Sequence, residues 1–164
     1  MVSSDRSADT QNRWGLEDVP VPVRMKLSAL WATVMFLYVY VDILAFFKPG
    51  TIDDILVGRV WEFDISQGWA LGAMALMTIP ALMVFLSLAL PARLARWINV
   101  VVASLYVAVS IFNVVGETWI YYYWFGAILE AALLLLVVRY AWSWPRAAEV
   151  RTRATEARVT AHQR

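Results

Sequence analysis

"WINVVVASLYVAVSIFNVVGETWIYYYWFG", residues 97–126, decides the fold. An apolar run from Trp97 to Gly116 is followed by the four residues "ETWI" and then by three tyrosines that open a second apolar run. A hydrocarbon core needs roughly 20 apolar residues as a helix, and both runs meet that length. The break between them is too short for anything but a tight reversal, so two antiparallel membrane helices are predicted side by side.

The same pattern extends along the chain. Four spans are predicted at about 27–47, 69–90, 97–116 and 121–144. The composition agrees: 61% of the 164 residues are hydrophobic, mean hydropathy is +0.60, and nine tryptophans with seven tyrosines suit the headgroup level. The first span follows 26 mostly polar residues and lacks a small-residue cleavage site before Lys48, so it reads as a retained span and not as a signal peptide. The expected fold is all-α, a polytopic membrane protein with an antiparallel four-transmembrane-helix bundle. The domain plan is a polar tail over residues 1–23, the bundle over 24–145 and a basic tail over 146–164.

Basic residues set the expected orientation. Arg6, Arg13, Arg24, Lys26, Arg93, Arg96, Arg146, Arg151, Arg153, Arg158 and Arg164 fall on one side, against only Lys48 and Arg59 on the other. A multi-pass protein of the cell (inner) membrane with both termini cytoplasmic is expected. "PARLAR" makes the second and third spans antiparallel neighbours, so the last three spans should pack side by side. The longer connection "KPGTIDDILVGRVWEFDISQG" opens with Pro49-Gly50, and Thr51 with Asp54 resembles a capping box. One short external helix is predicted around Ile52 to Val57, either on the membrane surface or over the bundle.

Polar side chains mark the faces that avoid lipid. In the third span Asn99, Ala103, Tyr106, Ser110, Asn113 and Glu117 recur at spacings of four and three; in the first, Ser28, Trp31, Met35, Tyr38, Asp42 and Ala45 repeat the pattern. In the fourth, Tyr123, Ala127, Glu130 and Leu134 share a face beside Gly126. At about 1.5 Å per residue, Asp42 and Asn113 come out roughly 24 Å from the basic side and Glu130 roughly 20 Å. The candidate site is therefore a polar pocket of Asp42, Tyr38, Asn113, Glu117, Glu130 and Tyr123. With no Lys or Arg at that depth, Asp42 and Glu130 should be paired, hydrated or protonated.

Each candidate also has a purely structural reading. Glu117 reads first as a turn residue that, with Thr118 as N-cap, complements the next helix dipole. Asp42 could simply reach water. Tyr121, Tyr122 and Tyr123 read as an interfacial belt, Arg139 as a snorkelling side chain and Asn99 as a helix-packing hydrogen bond. Glu130 is the residue for which a ligand-binding role is expected by default. Pro80 predicts a kink in the second span, with Thr78 helping to satisfy the freed groups, and Gly68 and Gly72 form a small-xxx-small pair.

Without cysteine, and with the one histidine at His162 in the polar tail, no catalytic thiol and no metal or cofactor is expected. The arginine-rich tail, with Glu149 and Arg153 at helical spacing, suits anionic lipid; a homo-oligomer is a further expectation, and nucleic acid is not expected as a partner.

"LEDVPVPVRMKLSALW", "FLYVYVDIL", "IPALMVFLSLALP", "RWINV" and "NVVGETWIYYYWFG" together resemble a bacterial family of small four-span membrane proteins, a domain-of-unknown-function group, over Leu16 to Pro145. The resemblance implies a four-helix integral membrane fold and carries no activity with it. A looser likeness of layout to DoxX-like membrane proteins brings redox associations for which this chain offers no thiol or buried imidazole. The function expected is an integral membrane protein that binds or moves a small molecule or protons through its polar pocket. The alternative is a non-catalytic scaffold or partner-binding subunit; an enzyme acting on a lipidic substrate ranks last, for want of a nucleophile motif or phosphate loop.

Overall fold

The computed structural model describes residues 20–144. The basic tail, and all but the last four residues of the polar tail, lie outside the described residues.

Four helices are long and apolar enough to cross a membrane: α1 (Val23–Ala45), α3 (Gln67–Ala89), α4 (Ala92–Phe112) and α5 (Ile120–Trp142). Between the first two lie α2 (Thr51–Leu56) and a two-stranded hairpin of β1 (Arg59–Val60) and β2 (Phe63–Asp64). Each long helix starts and stops one to five residues earlier than its predicted span. Hydropathy marks what lipid covers, whereas local chemistry marks where a helix begins. Pro22 and Pro91 precede α1 and α4, and the Ser66 hydroxyl caps α3 by accepting from Trp69 N at 3.1 Å.

The helices run up and down, so α1 begins where α3 ends, at what is here called the terminal end; the connections after α1 and α4 form the loop end. Helix α1 packs against both α3 and α5, and α5 against α4, whereas α3 and α4 meet only thinly. Of the last three spans, expected to pack side by side, α4 and α5 do so closely, while α3 touches α4 only lightly. A short connection ties two helix ends together without fixing how much of their flanks meet, and α3 packs mainly on α1. Its buried residues, Pro80, Met83 and Ser87, all lie towards the terminal end.

Polarity is arranged inside out relative to a water-soluble bundle. Ser87, Asn99, Ser110 and Glu130 are buried, while Phe36, Leu71, Phe85, Leu105, Phe125 and Leu135 face outward. Such a surface would aggregate in water and is at home in acyl chains. The chain is a four-span membrane protein. Along α4 the buried side is Ala95, Asn99, Ala103, Tyr106 and Ser110, the stripe read from the periodicity, until the helix stops at Phe112.

Pro80 costs α3 one amide donor and leaves the Leu76 carbonyl without its helical partner. The Tyr106 hydroxyl of α4 fills that position by donating to Leu76 O. Thr78, expected to help, instead donates to Met74 O at 2.8 Å, its own preceding turn.

At the loop end, the capping box expected at Thr51 does not form. Gly50, left-handed at φ 88°, is the N-cap of α2, and Thr51 already lies inside the helix. The hairpin was not foreseen. Its two-residue turn puts Trp61 at φ 52°, an unfavourable conformation for a large side chain. The indole is held edge-on to Phe112, with ring centroids 6.1 Å apart, and lies over Gly116. A Cβ at Gly116 would meet it at 3.4 Å, and Gly116 itself has φ 83°.

Candidate functional site

Three helices meet around Glu130. Tyr38 of α1 and Ser110 of α4 bring their hydroxyls to 3.4 Å, and Ser110 also lies beside the Glu130 carboxyl of α5. Glu130 is only 4% exposed and has no salt bridge among the described residues. Gly126, one turn earlier, explains how a carboxylate fits here. A Cβ on Gly126 would sit 3.2 Å from the Val41 side chain and 3.9 Å from Glu130 Oε1, so the bare backbone leaves room for both α1 and the carboxyl. Because a helical side chain covers the turn before its own Cα, Glu130 aims its carboxyl towards the loop end.

Asp42 stands one turn from Tyr38 in that direction. Unlike Glu130 it is exposed. Its charge is near enough to be felt by Tyr38, Tyr122, Tyr123 and Glu130, so the two carboxylates share one neighbourhood lined by tyrosine. Tyr122 closes one side by donating to Val41 O at 2.7 Å, which pins the start of α5 to α1. Tyr123 packs edge-on to Tyr122 at 5.1 Å. Tyr121 points away and is 93% exposed. Consecutive helical residues diverge by about 100°, so only this first tyrosine keeps the purely outward, belt-like position.

Glu117 is placed differently from its first reading. It does not act with a Thr118 cap, because Trp119 is the N-cap of α5 and no side chain caps that helix. Its carboxylate instead binds Lys48 Nζ at 2.6 Å, and the same ammonium lies 5.6 Å from the centre of the Tyr123 ring. This pair joins the connection after α1 to the connection after α4 and borders the acidic neighbourhood at Tyr123. Asn113 is exposed at the C-cap of α4, and among the described residues its side chain has no hydrogen bond to the others. The structure thus gathers Tyr38, Asp42, Tyr123 and Glu130, sets Glu117 at their edge, and leaves Asn113 apart.

Two further residues belong with this group and were not singled out as site residues. Ser110 had appeared only as part of the α4 stripe, yet its hydroxyl lies 3.4 Å from that of Tyr38, beside Glu130. Lys48 had been counted only for orientation. Nearer the terminal end, Asn99 accepts from Trp31 Nε1 at 2.7 Å and from the Ser87 hydroxyl at 3.1 Å, and donates to Ala95 O at 2.8 Å. The Tyr106 ring packs against both Trp31 and Tyr38, so a polar-aromatic column runs along the bundle axis from Asn99 to Glu130. Among the described residues no three His, Cys, Asp or Glu side chains come together as a metal ion would require.

A family model described as a family of unknown function, DUF6326, matches residues 22–151. The chain belongs to the DUF6326 family. That match takes in all four spans of this DUF6326 member together with the whole acidic, tyrosine-lined neighbourhood. Neither the curated proteins nor the solved structures contain a match to it.

Proposed function

We propose that this DUF6326 protein binds a small cationic solute, or takes up protons, at Glu130 through an entrance lined by Asp42, Tyr122 and Tyr123. The observation that carries this reading is the contrast between the two carboxylates. Glu130 is nearly sealed and has no salt-bridge partner among the described residues, while Asp42, within electrostatic range of it, is open. An ionisable group at this depth is costly to the fold, and such groups are kept where they act on an ion or solute. Tyrosine faces add attraction for organic cations. The basic residues at the terminal end support a placement in the inner membrane with both termini cytoplasmic, so that the entrance would open to the outside.

The test is uptake in vesicles reconstituted with the purified protein and loaded with a pH-reporting dye, alongside a thermal-shift screen of small amines. Glu130→Gln should abolish both the proton response and any amine-induced shift, and Asp42→Asn should weaken them. Equal behaviour of wild type and Glu130→Gln in both assays would sink the proposal.

A scaffold role is the second reading, favoured by one observation. Gly68 and Gly72 of α3 lie on its exposed loop-end half, and a Cβ at Gly72 would meet nothing within 4 Å. A helix of another membrane protein could approach closely there. Crosslinking through Gly72→Cys that captures no neighbour at native expression level would count against it.

A further inference from the structure

The connection between α1 and α3 is held at the membrane boundary at both ends of its one helix. Arg24 and Lys26 mark the terminal headgroups, and about 30 Å of hydrocarbon then runs from Leu27 to about Phe47. Phe46, Phe47 and Lys48 continue α1 in tight turns, their amides donating to the carbonyls of Ile43, Leu44 and Ala45. Lys48 O in turn accepts from Thr51 N at 3.2 Å, so α2 starts at that boundary. The far end is tied as closely: Gly58 O accepts from Ile65 N at 2.7 Å, one residue before Ser66 caps α3. Because α1 and α3 pack on each other, α2 is strung between a helix that has just left the bilayer and one about to enter it. Six residues of helix are about 9 Å long, close to the axis spacing of two packed helices, so α2 lies along the surface.

Its sequence suits that level. At helical spacing Ile52, Ile55 and Leu56 share one face, and Asp54 lies opposite. The bundle does not take up the apolar face, because α2 packs on β1 and meets the long helices only lightly. Ile52 and Leu56 are 49% and 79% exposed, and Phe47, just past α1, is 76% exposed. The hairpin is placed differently, with Trp61 laid over Phe112 and Gly116 at the end of the bundle.

We infer that α2 and Phe47 form an interfacial foot that sets Phe47, Ile52 and Leu56 among the acyl chains of the loop-end leaflet. Two observations choose lipid over a protein partner. The exposed apolar residues continue from Ile43 and Leu44, on the lipid-facing last turn of α1, through Phe46 to Phe47, so the foot extends a surface that acyl chains already cover. Both ends of α2 are also held at the depth where an amphipathic helix lies in the bilayer plane with its apolar face buried by about 5–10 Å. Headgroup charge is not what holds it. Lys48 is paired with Glu117, and Asp53, Asp54, Glu62 and Asp64 outweigh Arg59, so a neutral leaflet suffices. The foot rests on where α1 and α3 cross the bilayer and stands whatever binds at Glu130.

The chain contains no cysteine, so single cysteines can be spin-labelled cleanly in the full protein. The variants are Ile52→Cys, Leu56→Cys and Asp54→Cys, with Leu105→Cys on the outward face of α4 as the acyl-chain reference. Each is reconstituted in phosphatidylcholine vesicles, and collision of the label with oxygen, which concentrates in acyl chains, is compared with collision with a water-soluble nickel chelate. The Ile52→Cys and Leu56→Cys labels should shift towards oxygen, reporting a depth of about 5–10 Å, while the Asp54→Cys label stays open to nickel. The two apolar positions report independently, so one that fails to fold leaves the other. Labels at both positions as open to nickel as that of Asp54→Cys would overturn the inference. If they are shielded in native membranes yet open in phosphatidylcholine, a protein partner covers the face, and the foot is again overturned. Insertion that appears only once phosphatidylglycerol is added would overturn it too, since charge and not apolar contact would then be responsible.

Discussion

The hydroxyl of Tyr106 donates to the carbonyl of Leu76, the group that Pro80 deprives of its helical donor. One residue thereby repairs the defect that another makes, across the thin α3–α4 contact. Tyr106→Phe should cost about 1 kcal/mol, the scale of a hydrogen bond between membrane helices. In a Pro80→Ala background, where an amide again serves Leu76, the same change should cost much less. A double-mutant cycle on unfolding in detergent reads the coupling, and a loss that is equal in both backgrounds would dissociate the two residues.

Gly126 and Gly72 should respond oppositely to alanine. At Gly126 the new methyl meets a Val41 methyl at 3.2 Å, and valine is stiff in a helix, so a loss of about 1 kcal/mol is expected, relieved by Val41→Ala. At Gly72 there is open space, and helix propensity should give a gain of up to about 1 kcal/mol. Thermal unfolding of the three variants checks the sign of each.

How much could be read in advance is clearest along α4. The stripe from Asn99 to Ser110 repeats at helical spacing and was legible because periodicity is a local property. Lys48 and Glu117 are 69 residues apart, on connections whose meeting depends on how α1 and α5 pack, and nothing local announces the pair. Likewise Pro80 advertises an orphaned carbonyl, but which donor reaches it is set by the geometry between helices. "RVWEFD" hides its hairpin because the turn uses Trp61 at positive φ instead of the Gly or Asn that usually signals one. Of the candidate pocket, the members on helices α1 and α5 came together, while Asn113 lies where α4 has already ended.

Removal of Asn99 should be among the more damaging single changes in the terminal half. Asn99→Ala strands the buried Trp31 N–H, while Ser87 keeps Met83 O as its acceptor at 2.7 Å, for a cost of about 2 kcal/mol. Trp31→Phe leaves Asn99 its Ser87 and Ala95 bonds and should cost less than Asn99→Ala. Denaturant midpoints of the two variants test the order.

The Lys48–Glu117 pair is partly open, with side chains 23% and 16% exposed, so its contribution should stay below about 1 kcal/mol and shrink as salt is raised. Lys48→Glu should destabilise by repulsion, and adding Glu117→Lys should restore most of the loss. Tm measured at low and high salt for the single and double variants reads this directly.

Trp31 carries a consequence for how the chain is made. Its indole N–H finds its acceptor on Asn99, 68 residues further along, and its helix also packs against α5, which emerges later still. During insertion α1 enters the bilayer long before either partner exists. Until α4 arrives, that N–H must be met by lipid headgroups, water or the insertion machinery. Replacing the Trp31–Asn99 pair with apolar residues of matched size should therefore act on the yield of inserted protein as well as on the stability of what is finally assembled.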